Sequence, residues 1–232
     1  AKCMIDGVTV HLSGIAKGSG MIAPNMATML GYIGTDAAVP ASVLAACLRA
    51  ANDDSFNAIT VDSDTSTNDS VFLMASGMAG NRLITDANDP ALADFRAALA
   101  AVMRDLAIQI VRDGEGATKL VTIDIAGAKT NAVARQIGLA IANSPLVKTA
   151  IAGEDANWGR IVMAIGKLGI GIASDAISID IGGYPVARDG MRIADYDEAP
   201  IATHMTGQMI DLAVTVGDGD GAARIWTCDL TH

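Results

Sequence analysis

The sequence has few aromatic residues and little charge of either sign. Of its 232 residues, 3% are aromatic, 18% are charged and 51% are hydrophobic. Acidic residues outnumber basic ones by 26 to 16, which gives a formal net charge of −10 at pH 7. Nucleic acids and anionic membrane surfaces are unsuitable partners, because a chain of this charge repels both. A chain of this length and apolar content can bury a substantial core, in one domain or two.

Long apolar runs and metal-binding patterns are also missing. No run reaches the 18 or more residues that a membrane span needs, and residues 1–12 lack the basic start and apolar middle of a signal peptide. The three cysteines, Cys3, Cys47 and Cys228, have no Cys-x-x-Cys spacing, which favours reduced thiols in a cytosolic protein. The three histidines show no ligand spacing such as His-Glu-x-x-His, so we predict no catalytic metal.

The hydrophobic pattern predicts strands and helices that interleave along the chain. Alternating apolar side chains predict strands, and apolar positions at helical spacing predict helices. The predicted strands cover residues 4–12, 26–33, 58–61, 70–75, 120–125, 176–181, 184–187, 210–216 and 222–228. The predicted helices cover residues 40–51, 90–112, 130–151 with a break near Ser144 and Pro145, and 157–168. Because the β-α-β spacing is irregular, this order indicates mixed sheets covered by helices.

Two glycine-rich stretches invite a nucleotide-binding interpretation. In Gly217–Gly221, Asp218 and Asp220 would repel a phosphate and no helix follows, so we interpret the stretch as a hairpin turn. The stretch Gly14–Gly20 lacks the Gly-Lys-Ser/Thr order of a phosphate-binding loop. Neither stretch therefore predicts a nucleotide site.

The stretch Lys17–Leu30, Lys-Gly-Ser-Gly-Met-Ile-Ala-Pro-Asn-Met-Ala-Thr-Met-Leu, contains the strongest candidate nucleophile, Thr28. A threonine hydroxyl is weakly nucleophilic near pH 7, and the stretch has no His, Asp or Glu to act as its base. Cleavage of the Ala27–Thr28 bond would give Thr28 a free α-amine, whose pKa of about 7.7–8.0 leaves part of it unprotonated. A threonine with its own N-terminal amine is an activated nucleophile. On composition alone, the alternative is a glycine-rich loop that leads into a buried strand.

Three stretches, in this order, resemble one family of enzymes. They are Lys17–Leu30, then Ile59–Asp69 (Ile-Thr-Val-Asp-Ser-Asp-Thr-Ser-Thr-Asn-Asp), then Ser144–Arg160 with Ser-Pro-Leu-Val-Lys-Thr-Ala and Asn-Trp-Gly-Arg. The chain resembles the ornithine acetyltransferase family, the glutamate N-acetyltransferases of arginine biosynthesis, from about Gly14 to its end. In that family the Thr of Ala-Thr-Met-Leu is both the point of self-cleavage and the nucleophile that carries the acetyl group. The resemblance therefore implies cleavage between Ala27 and Thr28 and catalysis by Thr28.

The resemblance also implies two substrate-binding residues. Lys17, which precedes Thr28 by 28 − 17 = 11 residues, matches a substrate-binding lysine of the family. Glu115, in the turn Glu-Gly-Ala-Thr-Lys, matches a carboxylate that contacts the substrate. Without the resemblance, a solvated surface lysine and a solvated turn residue are the alternatives.

Two other parts of the matched stretches receive no catalytic step. The loop Asp62–Asp69 has the Asp, Ser, Thr and Asn content of a turn, and no step can be assigned to Thr67, Asn68 or Asp69. Lys148 and Arg160 are candidate anion ligands, but we expect them to form structural ion pairs.

The family also sets an expectation for the fold. It implies an α/β (α+β) fold, a layered sandwich of mixed β-sheets covered by helices, like that of the ornithine acetyltransferases and related aminopeptidases. Residues 1–27 would be the end of an α segment and residues 28–232 a β segment that lacks a short C-terminal tail. The rest of the α segment, which supplies the oxyanion donors in this family, would be a missing partner. A cytoplasmic heterotetramer of two α and two β chains is expected.

The implied activity is acetyl transfer from N-acetylornithine to glutamate through an acetyl ester on Thr28. No cofactor is expected, and acetyl-coenzyme A remains open as a second donor substrate. A related aminopeptidase would pass its acyl group to water, but the motifs around Lys17 and Glu115 argue against it. A paralogue of secondary metabolism would have almost the same sequence. A non-catalytic binding module would have no use for an Ala27–Thr28 junction of this kind.

Overall fold

The computed structural model describes residues 1–22, 29–64, 68–194 and 196–230, and the chain divides into two compact units. Unit 1 comprises Ala1–Ile59 and Asp64–Asp113, and unit 2 comprises Thr60–Ser63 and Gly114–His232. Each unit contains a mixed β-sheet that packs against α-helices. The predicted α/β (α+β) class with mixed sheets is therefore confirmed.

Unit 1 is built on a four-stranded sheet. Its elements are β1 (Lys2–Ile5), β2 (Val8–Lys17), β3 (Leu30–Thr35), α1 (Ala41–Asp53), β4 (Ser70–Ala75) and α2 (Ala93–Arg112). The strand order is β1-β2-β3-β4, with β3 and β4 parallel and the other two pairs antiparallel. One apolar stripe of α2 packs against the sheet, and its side chains are buried at Phe95, Leu99, Met103, Leu106 and Ile110. The helices predicted at residues 40–51 and 90–112 and the strand at 70–75 are confirmed.

The single strand predicted at residues 4–12 is wrong, because a tight turn divides it. Asp6 and Gly7 have φ angles of +49° and +79°, so the chain reverses between β1 and β2. An Asp-Gly pair is a strong signal for a two-residue hairpin turn, since both turn residues need positive φ. After this turn β2 continues to Lys17, five residues beyond the predicted end (17 − 12 = 5).

The strand predicted at residues 58–61 is also wrong. Phe56–Ala58 forms a single 3₁₀ turn, and Ser55 is buried with its hydroxyl donating to the Ala51 carbonyl at 2.6 Å. In unit 2, Thr60 donates its backbone N–H to the Trp226 carbonyl at 3.1 Å. The segment is apolar because it is buried. Isolated backbone hydrogen bonds satisfy its backbone polar groups, and the hydrogen-bond ladder of the predicted strand is not formed.

Unit 2 is built on a six-stranded sheet. Its strands are β5 (Leu120–Gly127), β6 (Ser178–Ile181), β7 (Tyr184–Arg188), β8 (Met191–Arg192), β9 (Met209–Thr215) and β10 (Gly219–Cys228). Its helices are α3 (Asn131–Ala142), α4 (Pro145–Ala152), α5 (Trp158–Gly166) and α6 (Glu198–Met205). The strand order is β10-β5-β9-β6-β7-β8, and only β5 and β9 are parallel. The predicted break between α3 and α4 is confirmed, with Ser144 capping α4 and Pro145 at its first turn.

The interpretation of Gly217–Gly221 as a hairpin turn is wrong. Strands β9 and β10 do not pair with each other, because β5 lies between them. The connection instead crosses the end of β5 in close contact with it. A Cβ on Gly127 would lie 2.2 Å from the Gly217 carbonyl oxygen, and one on Gly219 would lie 2.2 Å from that of Ala128. Only glycines allow the two backbones to approach this closely.

Candidate active site

Ala27 and Thr28, the predicted cleavage site and nucleophile, lie outside the described residues. The residues that follow them are described: Met29 is buried, and Leu30 begins β3. Leu30 lies opposite Lys17, the last residue of β2, and opposite Ser70, the first residue of β4. Met29 and Leu30, the two residues that follow Thr28 in the sequence, therefore lie where β2 ends and where β3 and β4 begin.

Lys17 is at the exposed end of β2, directly across from the start of β3. Its side chain lines a groove of about 510 Å³ in unit 1, together with residues of β2 and the C-terminal half of α2. Within the described part of the chain, its ammonium makes no ion pair or hydrogen bond. The cation is therefore available to a negatively charged ligand, and its role in substrate binding stays a prediction.

Asp69, to which the sequence assigned no catalytic step, contacts the residue that follows Thr28. Its carboxylate accepts a hydrogen bond from the backbone N–H of Met29, the residue directly after Thr28. One residue later, the Ser70 N–H donates to the Met29 carbonyl at 3.1 Å. The end of the Asp62–Asp69 loop thus fixes the backbone next to Thr28. Its position just before β4 was the signal, because β4 is parallel to β3 and starts beside it.

Glu115 lies in unit 2, in the turn between α2 and β5. The turn is closed by a bond of 3.0 Å from the Ala117 N–H to the Gly114 carbonyl, and Gly116 has a φ of +72°. The Glu115 side chain is exposed and makes no hydrogen bond or ion pair with any described residue. An exposed, unpaired carboxylate on a fixed turn suits contact with a ligand cation, and its role also stays a prediction.

A buried aspartate anchors the segment that follows this turn. Asp229 is 2% exposed and accepts hydrogen bonds from the backbone N–H groups of Thr118 at 2.8 Å and Lys119 at 2.9 Å. The Thr118 hydroxyl donates to the same carboxylate. These bonds tie the chain after β10 to the residues just after Glu115, so that the turn is held from its C-terminal side. Nothing in the sequence around Asp229 indicated this role.

Lys148 forms hydrogen bonds in the interior of unit 2, and the expected ion pair is not found among the described residues. It is 4% exposed, and its ammonium donates to the Thr227 hydroxyl at 2.9 Å and to the Cys228 carbonyl. Burial lowers the pKa of Lys148 and raises the pKa of the Cys228 thiol, whose Sγ lies 3.7 Å from the Lys148 Nζ. Lys148 therefore fastens α4 to β10.

Arg160 also makes hydrogen bonds where an ion pair was expected. Its guanidinium donates to the Leu146 carbonyl at 2.7 Å and to the Thr149 hydroxyl at 3.2 Å. These bonds join the first turn of α5 to α4, and no carboxylate lies within ion-pair distance in the described ranges. The family-like stretch Ser144–Arg160 thus has a structural role in unit 2.

Among the described residues, no group of three or more His, Cys, Asp or Glu side chains is placed to hold a metal ion. Over those residues, no helix combines the length and apolar character that crossing a bilayer requires. Cys3, Cys47 and Cys228 are free thiols, and burial raises the pKa of each.

Comparison with known proteins gives concordant matches. The model of the ArgJ family matches residues 1–232. Three similar proteins are each named arginine biosynthesis bifunctional protein ArgJ. The protein from Gluconobacter oxydans is 58% identical, and the match covers 98% of this chain and 54% of the relative. The protein from Zymomonas mobilis is 54% identical, and the match covers 98% of this chain and 56% of the relative. The protein from Caulobacter vibrioides is 52% identical, and the match covers 100% of this chain and 57% of the relative. The chain therefore spans about half the length of these curated relatives.

The fold matches a solved structure as well. The crystal structure of arginine biosynthesis bifunctional protein ArgJ from Bacillus halodurans superposes with a TM-score of 0.81 at 40% sequence identity. The match covers 85% of this chain and 92% of the solved one. Sequence and fold similarity thus point to the same group of proteins.

Proposed function

Because the chain belongs to the ArgJ family, we propose that it is part of an acetyltransferase that moves the acetyl group of N-acetylornithine to glutamate. The observation that carries the proposal is the family match over residues 1–232, which includes the Lys17–Leu30 stretch. The relatives' name, arginine biosynthesis bifunctional protein, supports the pathway. Because these relatives are called bifunctional, acetyl-coenzyme A remains a candidate second donor.

The proposed chemistry begins with cleavage of the chain. The Thr28 hydroxyl attacks the Ala27 carbonyl carbon, the C–N bond to Thr28 breaks, and water hydrolyses the resulting ester. This sequence leaves Thr28 with a free α-amine that can accept its hydroxyl proton. The threonine then attacks the acetyl carbonyl of N-acetylornithine, and the departing ornithine amine takes the proton. Glutamate reverses these steps through its own amine, which gives ping-pong kinetics.

The described residues contribute to this scheme in separate ways. Asp69 holds the backbone of Met29, so that the residue after the nucleophile has a fixed position. Lys17, opposite Leu30, complements the carboxylates that N-acetylornithine and glutamate both carry. The Glu115 carboxylate accepts a hydrogen bond from the side-chain ammonium of N-acetylornithine, because a charge-assisted hydrogen bond between these groups is strong. No metal or other cofactor takes part in the proposed steps.

The proposal extends to the partners of the chain. The remainder of an upstream α segment supplies oxyanion donors to the tetrahedral intermediates, an effect worth roughly 2.7–4 kcal/mol per donor in other enzymes. The α and β segments remain together, as two copies of each, in the cytoplasm. The half-length match to the relatives supports a longer parent protein.

An aminopeptidase is the second candidate. It would use the same Thr28 nucleophile but release its acyl group to water, and the relatives' names favour arginine biosynthesis over peptide hydrolysis. Parallel assays of acetyl transfer and of peptide hydrolysis on the full-length protein separate the two candidates.

Intact-mass measurement of the full-length protein tests the proposal directly. Before substrate is added, we expect two fragments whose masses correspond to cleavage between Ala27 and Thr28. N-acetylornithine should add one acetyl group to the fragment that begins with Thr28, and glutamate should remove it. Thr28→Ala should leave the chain uncut, and Thr28→Ser should cut at an altered rate. A Thr28→Ala protein that matures without added protease would refute self-cleavage by Thr28.

A further inference from the structure

Strand β2 extends beyond the N-terminal end of β1, and there one edge of β2 has no neighbouring strand in the described sheet. Strand β1 pairs with β2 from Lys2 opposite His11 onward, and two backbone bonds of 2.7 and 3.0 Å join Ala1 to Leu12. Over residues 13–17, β2 pairs only with β3. Five residues of β2 therefore lie at an open edge of the sheet.

The backbone groups of Gly14 and Ala16 point toward this open edge. In a strand, the N–H and C=O groups of every second residue point to the same side. Leu12 directs both of its groups toward Ala1, so Gly14 and Ala16 direct theirs the same way, while the residues between them face β3. An open edge of this kind readily pairs with a further strand.

The open edge forms one wall of the 510 Å³ groove that Lys17 lines. The opposite wall is the C-terminal half of α2, where Leu106 and Ile110 are buried and Gln109 and Asp113 are exposed. A strand in this groove would cover the backbone of β2 on one side. Its side chains on the helix side would pack against the apolar positions of α2, as those of β1 and β2 do.

We propose that the groove between residues 13–17 of β2 and the C-terminal half of α2 binds an extended strand from the rest of the longer polypeptide. This strand continues the line of β1, antiparallel to β2, and belongs to the upstream α segment. The inference rests on the proposed partner segment, which the half-length match to the relatives supports. The pair Ala1–Leu12 already has the register that the continuation needs, so no turn is required. A strand from a second copy of the chain would instead have to enter the groove with its end placed against Ala1.

The proposal gives the upstream segment a path to the candidate active site. Five residues of an antiparallel strand span about 17 Å, at about 3.4 Å per residue. This length carries the added strand from Ala1 to Lys17, at the end of β2 where Leu30 lies opposite. Residues just upstream of the added strand would then lie near the start of β3, which follows Thr28 in the chain.

Hydrogen exchange of single backbone amides in the full-length protein tests the proposal. Thr9 is an internal reference, because its N–H points away from β1 and lies beyond the end of β3. Val10 is the paired reference, since β1 covers it. We expect the Gly14 and Ala16 amides to exchange about 100-fold or more slowly than Thr9, as paired amides do. Exchange of Gly14 and Ala16 as fast as that of Thr9 would overturn the proposal.

Two proline variants of the full-length protein separate the added strand from other causes of protection. Ala16→Pro removes an N–H at the open edge and keeps every β2–β3 bond, whereas Thr9→Pro places proline at an unpaired position of the same strand. Ala16→Pro should speed exchange at Gly14 by about 10-fold or more, and Thr9→Pro should leave it unchanged. Equal effects of the two variants would contradict the proposal. Protection that grows with protein concentration would assign the groove to a second copy instead.

The exchange experiment does not depend on the acetyl-transfer chemistry. Protected Gly14 and Ala16 amides in a protein that fails to take an acetyl group from N-acetylornithine would overturn the proposed function and keep the added strand. Acetyl transfer with fast-exchanging amides would do the reverse.

Discussion

Lys17 is a cation without a partner among the described residues. It lies on β2 directly opposite Leu30, the first residue of β3. If it binds substrate carboxylates, Lys17→Ala should lower the rate of single-turnover acetylation at limiting N-acetylornithine by about 10- to 100-fold, since a charge-assisted bond contributes about 1.5–3 kcal/mol. The fold should be unaffected, because the side chain is exposed. Lys2→Ala is the matched control, since Lys2 is exposed on β1. Unchanged acetylation by Lys17→Ala would make Lys17 an ordinary surface lysine.

Glu115 should distinguish the two substrates by the charge of their side chains. N-acetylornithine carries a side-chain ammonium that glutamate lacks, so Glu115→Gln should slow acetylation by N-acetylornithine more than deacetylation by glutamate. Rapid-quench measurement of the two half-reactions gives both rates. Asp113→Asn, which alters another exposed carboxylate near the same turn, should leave the ratio unchanged. Equal losses in both half-reactions for Glu115→Gln would indicate contact with the α-amino group that both substrates share.

Lys148 allows a test of how unit 2 satisfies its buried polar groups. Lys148→Met should lower the free energy of unfolding by about 1–3 kcal/mol, because it leaves the Thr227 hydroxyl and the Cys228 carbonyl without their donor. Adding Thr227→Val should recover part of the loss, since it removes the orphaned hydroxyl. Urea titration of the single and double variants gives the coupling. Strictly additive losses would mean that the Lys148–Thr227 bond contributes nothing.

The same lysine predicts a dependence of stability on pH. Burial lowers the pKa of Lys148 below its ordinary value of 10.5, so between the two values the unfolded chain binds more protons than the folded one. The contribution of Lys148 to the free energy of unfolding then rises with pH across this window. The difference in stability between the parent protein and Lys148→Met should widen as pH increases toward 10.5. A constant difference over that range would contradict a lowered pKa.

The sequence predicts candidate residues whose chemistry or motif is local, and it gives little signal for residues that act through distant contacts. Thr28, Lys17 and Glu115 follow from hydroxyl chemistry and from recognisable motifs. Asp69 was named in the sequence without a role, because its role depends on a parallel pairing of β3 with β4 that brings it beside Met29, 40 residues away in the chain. Asp229 was missed for the same reason, since its partners Thr118 and Lys119 lie more than 100 residues earlier.

At the scale of the elements, Gly138 shows how closely α3 packs on its sheet. A Cβ at Gly138 would lie 2.6 Å from Cγ1 of Ile225 and 3.4 Å from Cγ1 of Ile125. Alanine is the better helix former by about 1 kcal/mol, but overpacking a core costs about 1–3 kcal/mol, so Gly138→Ala should destabilise the protein. Gly166→Ala, in α5 with open space around it, should be neutral or stabilising. Thermal unfolding of both variants checks the contrast, and a stabilised Gly138→Ala would refute the tight contact.

Helix positions were predicted well because their signal is local. The apolar stripe of α2 and the proline at the start of α4 locate these two helices to within a few residues. Strand pairing was predicted poorly, since the same alternation suits several neighbours. Two adjacent strands joined by Gly217–Gly221 suggested a hairpin, but β9 and β10 each pair with a different edge of β5.

At the scale of the whole molecule, the proposed chemistry needs more than the 232 residues. The chain alone should neither gain an acetyl group from N-acetylornithine nor deliver one to glutamate, because the proposed oxyanion donors lie in the upstream segment. The full-length protein should do both. Mass spectrometry of each, with near-UV circular dichroism to show that the shorter chain is folded, makes the comparison. Acetylation of a folded 232-residue chain would show that the upstream segment is dispensable.

The central position of β5 affects how the protein is made on the ribosome. Between the end of β5 at Gly127 and the start of β9 at Met209 lie 208 − 127 = 81 residues, and β10 comes later still. At about 5–20 residues per second, β5 waits roughly 4–16 s for its first neighbour in the sheet. Helix α3 follows it directly and packs on it. This helix can shield one face of an apolar strand during the interval in which both of its edges are open to aggregation.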